Sequence, residues 1–230
     1  MPPAKRRSAP ASKQTSPKPR RGRRLAAADR EQEILAGAIR YFAEVGFGGQ
    51  TRQLAERLGI TQPLLYRYFP TKRHLIERVF AEVFLKRVDP GWGELISDRS
   101  RSLEDRLLEF YQRYSRATYT YEWIRIYMFS ALMGNSINRR YIKIVEARIL
   151  QPICAEIRHA SGLPGPDAVP ISELELEHVW VMHGGLFYYA VRKYIYHSRI
   201  SGDFAGIVRR SVAAMIAGVR AIGLGGERAP

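Results

Sequence analysis

The stretch TRQLAERLGITQPLLYRYFP, Thr51 to Pro70, reads as two short helices joined by a turn. Thr51 opens the first, and Gly59 closes it just after Leu58. Thr61 supplies a side-chain oxygen that can cap the second, and Pro63 is tolerated in its first turn, where no intrahelical N–H is lost. Pro70 stops it. At about 100° per residue, Leu65 and Phe69 share one side of the second helix. Pro63 and Arg67 lie roughly opposite. Leu54 and Leu58 are spaced to meet Leu65 and Phe69 in a small core, which leaves Gln62 at the outer tip with Tyr66 and Tyr68 on the flanks. Such a surface suits a DNA major groove, where amides and guanidinium groups read base edges and hydroxyls meet phosphates. The same residue types also suit a tight helical core with a polar outer face.

Working outward, helical periodicity continues in both directions and strand signals are nearly absent. Upstream, Asp29 can cap a helix in which Leu35, Ile39 and Phe42 share a face, with Gly46 placed to end it. Downstream, Thr71 is expected to open a helix reaching about Val88, and DPGWG (Asp89–Gly93) is a break. Further helices are predicted over about 102–119, 122–133 and 139–160, the last bent by Pro152. The loop SGLPGPDAVP (Ser161–Pro170) precedes a long helix to about Ser198, and a final helix follows Asp203 to about Ile222. The expectation is an all-α chain. A basic leader (1–28) would be followed by a three-helix helix-turn-helix unit (29–75) and a larger helical body (76–230).

The charge is uneven. The 230 residues carry 37 Lys and Arg against 22 Asp and Glu, a net +15. Nine of the basic residues lie within positions 1–24, which hold no acid, so the remainder is 28 basic against 22 acidic, a net +6. A basic balance points to a polyanion, nucleic acid before anionic membrane. The leader lacks an apolar core and so is not a secretory signal. It reads either as a solubilising tail or as a tail that also grips phosphates. Without a run of some eighteen apolar residues, no membrane span is expected. The single Cys154 excludes an internal disulfide and fits a reducing compartment, and a DNA-binding role would place the protein in the cytoplasm at the nucleoid. Its apolar helical context suits packing. Enzyme readings find little: His178 and His183 are five apart rather than four, and metal-ligand sets, a phosphate loop and a nucleophile elbow are missing. Neither a metal nor a cofactor is expected.

The run TRQLAERLGITQPLLYRYFPTKRHLIERV, Thr51 to Val79, resembles the DNA-binding segment of the tetracycline-repressor (TetR) family. It has Thr at the start of the second helix, then Leu-Ala and Leu-Gly-Ile, a Leu-Tyr-x-Tyr-Phe third helix, and a Lys heading the fourth. The Gln62-Pro63 pair is similar to the tetracycline repressors themselves. The resemblance implies that Arg52, Gln62, Pro63 and Arg67 read bases, while Thr51, Tyr66, Tyr68 and Lys72 hold phosphates and Thr61 lies at the same surface. Leu64 stands where the family often has a small residue, so it either touches a thymine methyl or shifts operator preference.

The resemblance further implies a homodimer on a double-stranded palindromic operator, joined through the last two helices, with a small-molecule effector in the body. An architectural DNA binder dominated by its basic tail is the alternative. In the final helix Ser211, Ala214, Gly218 and Ala221 form a small-residue stripe beside the larger Val208, Val212, Met215 and Val219, as expected for a helix buried on two faces. Phe187 and Val191 of the long helix before it are expected at the same partner surface. Tyr114, Trp123, Tyr127, Trp180, His183 and Tyr188 are the candidate effector contacts, and the same aromatics fit ordinary core packing.

Overall fold

The computed structural model describes residues 27–133 and 136–222, and all its regular elements are helical. The basic leader up to residue 26, and Asn135, lie outside them. Helix α1 (Ala27–Val45) buries Ile34, Leu35, Ala38, Tyr41 and Phe42, the spacing of a one-faced amphipathic helix. It ends at Gly46, whose φ of +76° favours a residue without Cβ and whose N–H reaches the Phe42 carbonyl at 2.9 Å. Helices α2 (Thr51–Arg57) and α3 (Gln62–Tyr68) follow, separated by a turn in which Gly59 takes φ +63°. Leu54, Leu65 and Phe69 are buried beneath them, as the wheel requires.

Helix α4 (Lys72–Val83) is capped by Thr71, whose hydroxyl accepts from the His74 N–H at 3.0 Å. It is shorter than expected. Phe84 is fully buried at its end, the chain tightens into a 3₁₀ turn over Leu85–Arg87, and Pro90 lies ahead. The break at Asp89–Gly93 also contains the start of an unexpected helix, α5 (Trp92–Ser97), which buries Trp92 and Ile96. Helix α6 (Leu103–Thr118) is amphipathic, with Leu107, Phe110, Tyr111 and Tyr114 inward.

Helix α7 (Tyr121–Leu132) packs on α1 and also against α8 (Ser136–Val145) and α10 (Glu173–Tyr194). Asn138 ties α8 to α7, accepting from the Ser130 hydroxyl and donating to the Tyr127 carbonyl. The helix expected over 139–160 is three segments: α8, a π turn over Glu146–Leu150, and α9 (Gln151–Ala160). The π turn ends two residues before Pro152, where the ring removes one helical N–H and crowds the preceding turn, so the helix widens there. Helix α10 starts with a capping box between Ser172 and Glu175. It stops earlier than expected, and His197 takes a left-handed φ of 51° just beyond. Helix α11 (Phe204–Ile222) closes the body.

Two buried ion-pair groups hold the body. Glu156 accepts from both Arg99 and Arg106, joining α9 to the start of α6. Arg158 binds Glu175 through two N–H groups, at 2.6 and 2.7 Å, and also donates to the carbonyls of Val169 and Pro170, so the 161–170 loop is tied to α9 and α10. Each charge has a partner, which offsets the cost of burying it. Cys154 is buried, its Sγ 3.6 Å from the Glu175 carbonyl, and burial pushes its thiol up to about 12, which suits packing and not nucleophilic chemistry.

Candidate functional site

Helix α3 divides as its spacing requires. Leu65 and Phe69 are 1% exposed and hold it to α1, α2 and α4. Pro63 and Arg67 are exposed on the opposite side; Gln62, Leu64, Tyr66 and Tyr68 are half-buried between. Thr61 caps the helix by accepting from the Leu64 N–H at 3.4 Å. Tyr68 is half-buried and packs against the apolar core. Lys72 is half-buried, and neither it nor Arg67 has an ion-pair partner among the described residues.

Thr51 organises this face. The Gln62 amide N–H donates to its hydroxyl oxygen at 3.1 Å, and the Tyr66 hydroxyl lies 2.9 Å from the same atom. A threonine hydroxyl accepts twice and donates once. Gln62 donates to Thr51, and between the Thr51 and Tyr66 hydroxyls either can donate, so one of their two protons is left for another acceptor. The Gln62 carbonyl oxygen and its second N–H also stay free. Thr51 is itself only 8% exposed, so it lies beneath the surface rather than on it. Arg52 is exposed and pairs loosely with Glu56 at 3.4 Å, a contact easily exchanged for a stronger anion. Behind α2, the Tyr41 hydroxyl bridges the Gln50 carbonyl and Gln53, fixing α2 to α1.

One functional contact was not signalled by spacing. Arg125 of α7 donates to the Ala43 carbonyl at 2.5 Å and to the Glu44 carbonyl at 3.3 Å, satisfying carbonyls that the end of α1 leaves open. The Phe129 ring packs where a Gly46 Cβ would stand, 3.0 Å away. The body therefore grips the end of α1 through α7, while α4 packs on α1 and pairs Arg78 with Glu31 at 2.8 Å. Partners about eighty positions apart leave no local pattern.

That same helix lines a cavity of about 70 Å³ in the body. Tyr114, Trp123, Tyr127, Trp180 and His183 all reach it, joined by Tyr141 and Phe187. Trp123 stacks on Tyr127, with ring centres 5.0 Å apart and planes 13° from parallel, and Phe187 meets Tyr127 edge-on at 5.5 Å. Burial pulls the His183 imidazole down to about 4, so it is neutral at pH 7. Burial likewise raises the Tyr111 and Tyr114 phenols above their ordinary range. Tyr188, expected among the effector contacts, lies elsewhere: it is half exposed and faces Tyr196.

The expected partner surface also divides. Val191 is buried, and Phe187 contacts the rings of Tyr119, Trp123 and Tyr127, so both turn into the chain's own body. They sit on the stripe of α10 that includes His183. The outer stripe is instead Leu174, His178, Val181, Gly185 and Tyr188, with Val181 74% exposed. On α11, Ala214 and Ala221 are exposed, Ser211 and Gly218 are half-buried, and Val208, Val212, Ile216 and Val219 face inward.

Comparison with known proteins follows the same division. The family described as bacterial regulatory proteins, tetR family, matches residues 34–79, which span most of α1 and all of α2 and α3 into α4. The tetracycline repressor protein class A from transposon 1721 of Escherichia coli is 36% identical over 86 residues, covering 34% of this chain and 39% of that protein. The class C repressor of Escherichia coli is 33% identical over 88 residues, covering 34% of this chain and 40% of that protein. The chain thus spans about two fifths of the length of these relatives. A putative TetR-family transcriptional regulator from Mesorhizobium loti MAFF303099 shares the fold over 84% of this chain and 98% of its own, with a TM-score of 0.53 at 15% identity. No helix among the described residues is long and apolar enough to cross a membrane. The helix-turn-helix segment is thus similar in sequence to the tetR family of bacterial regulatory proteins, and the helical chain shares the fold of a structure described as a TetR-family regulator.

Proposed function

We propose that the protein is a ligand-responsive transcriptional repressor that binds a palindromic DNA operator as a homodimer. The observation that carries this is the outer face of α3: Gln62, Pro63 and Arg67 are offered to the outside by a helix whose other side, Leu65 and Phe69, is locked in the core. Gln62 and Arg67 have the donors and acceptors that discriminate base pairs in a major groove, and Arg52 and Leu64 extend the surface. Thr51, Tyr66, Tyr68, Thr61 and Lys72 form its phosphate-holding border. The half-freed Gln62 amide, steadied by Thr51, still has one acceptor and one donor for a base edge, the pair that suits adenine.

Two further observations support the regulatory part. The outer stripe of α10 from Leu174 to Tyr188, with the small residues of α11 beside it, is an apolar surface on which a second copy can seat, setting two α3 helices for two half-sites. Trp123 and Tyr127 in the cavity wall share α7 with Arg125 and Phe129, which hold the end of α1. A ligand that prefers one position of α7 therefore biases the angle of the DNA-binding unit, and the shift is limited to its differential affinity for the two positions.

Selection of binding sites from random double-stranded DNA, followed by footprinting, tests this reading. A palindromic consensus with two protected half-sites is expected. Gln62→Ala and Arg67→Ala should each cost about 1–3 kcal/mol on that site and relax its sequence preference, whereas Lys72→Ala should weaken all DNA alike and lower the salt slope. Equal affinity for random DNA would instead favour an architectural binder driven by the basic leader.

A further inference from the structure

The cavity described above, read as an effector site, is uniform in its chemistry. Among the described residues, Lys, Arg, Asp and Glu are missing from its lining. Anions would find no counter-charge there, and ammonium groups no carboxylate. Burying either without a partner is costly.

Its polar groups are also one-sided. Trp123 is 1% exposed, and its indole N–H has no hydrogen-bond partner. The Tyr111 hydroxyl lies 3.4 Å from His183 Nδ1, a contact in which either group can donate. With Tyr111 as the donor, the ring proton of the neutral His183 sits on Nε2, a second donor without an acceptor. The Tyr114 and Tyr141 hydroxyls share one hydrogen bond at 3.2 Å, which leaves the accepting hydroxyl its own proton. A tyrosine- and tryptophan-walled space is left with donors in surplus.

We infer that the cavity selects uncharged aromatic molecules carrying a hydrogen-bond-accepting oxygen, such as a ring carbonyl, with Trp123 and His183 as the donors. The cavity of about 70 Å³ is smaller than a ring needs, given that an apolar cavity of ~150 Å³ takes benzene. Entry must therefore widen it, and Ile142, which lines it and is partly exposed, marks the side on which it can open.

This inference rests on the effector reading, but a direct binding measurement separates the two. The full chain is titrated with four single-ring probes: acetophenone, ethylbenzene, benzoate and benzylammonium, followed by calorimetry and tryptophan emission. Acetophenone should bind about tenfold tighter than ethylbenzene, the worth of one good hydrogen bond, and both ions at least tenfold weaker than acetophenone. Trp123→Phe, which keeps an aromatic ring and removes the N–H, should erase most of the preference for acetophenone. Tighter binding of either ion, equal binding of acetophenone and ethylbenzene by the unaltered chain, or no binding of any probe would overturn the inference. Should acetophenone bind as expected while the operator complex stays intact, the ligand class stands and the effector role fails.

Discussion

His183 shows how much one residue's surroundings decide. In the chain it is one of five histidines, beside a Gly-Gly pair. In the fold it is 5% exposed, with its ring against Tyr114 and Trp180 and Nδ1 toward Tyr111. Burial lowers its folded value from 6.5 to about 4. Between those values the unfolded chain holds the extra proton, so the stability due to neutral His183 is full above pH 6.5 and is lost as pH falls toward 4. About 2 kcal/mol should vanish between pH 8 and pH 5, read from urea midpoints. His183→Gln, uncharged throughout, should show a flatter profile; an equal slope in both proteins would mean that other groups carry it. Thr51 makes the same point: its position at a helix start was legible, but its two hydrogen bonds, with Gln62 and with Tyr66, were not.

Among the elements, α7 bears the most consequence. One side of this twelve-residue helix supplies Trp123 and Tyr127 to the cavity, and Arg125 and Phe129 reach α1. Arg125 also rests against the rings of Tyr121 and Phe129, each 5.3 Å from its guanidinium carbon, which limits its wandering. Arg125→Ala should lower stability by about 1–3 kcal/mol, as expected for charge-assisted bonds to backbone carbonyls. Hydrogen exchange should rise mainly at the end of α1 and in α2; a uniform rise across the body would show that the contact is not a local strut. The helices themselves were largely legible, because capping residues and apolar spacing act within a few positions. Exceptions arose where backbone hydrogen bonding changed type, at the 3₁₀ turn after α4 and the π turn before Pro152, and at the short α-helix α5, which begins inside an apparent break.

For the molecule as a whole, the apolar outer stripe of α10 is the feature that a lone chain leaves uncovered. Replacing the 74%-exposed Val181 with Asp should leave the helical content unchanged. It should halve the mass measured by light scattering and weaken operator binding by about 100-fold at equal chain concentration, since a single half-site contact remains. An unchanged mass would move the partner surface elsewhere.

The all-α class and the inner and outer sides of α3 follow from the chain's local pattern, together with the resemblance of its N-terminal segment to the TetR family. These features repeat at spacings of three and four residues or sit at fixed offsets from a cap. Tertiary structure alone decided which aromatics line the cavity, that Phe187 and Val191 turn inward while Tyr188 turns out, and that α7 links the cavity to α1. Helical spacing says that a face is apolar without saying which neighbour covers it, and α10 is apolar nearly all round from Val179 to Val191. That choice belongs to packing between helices far apart in the chain.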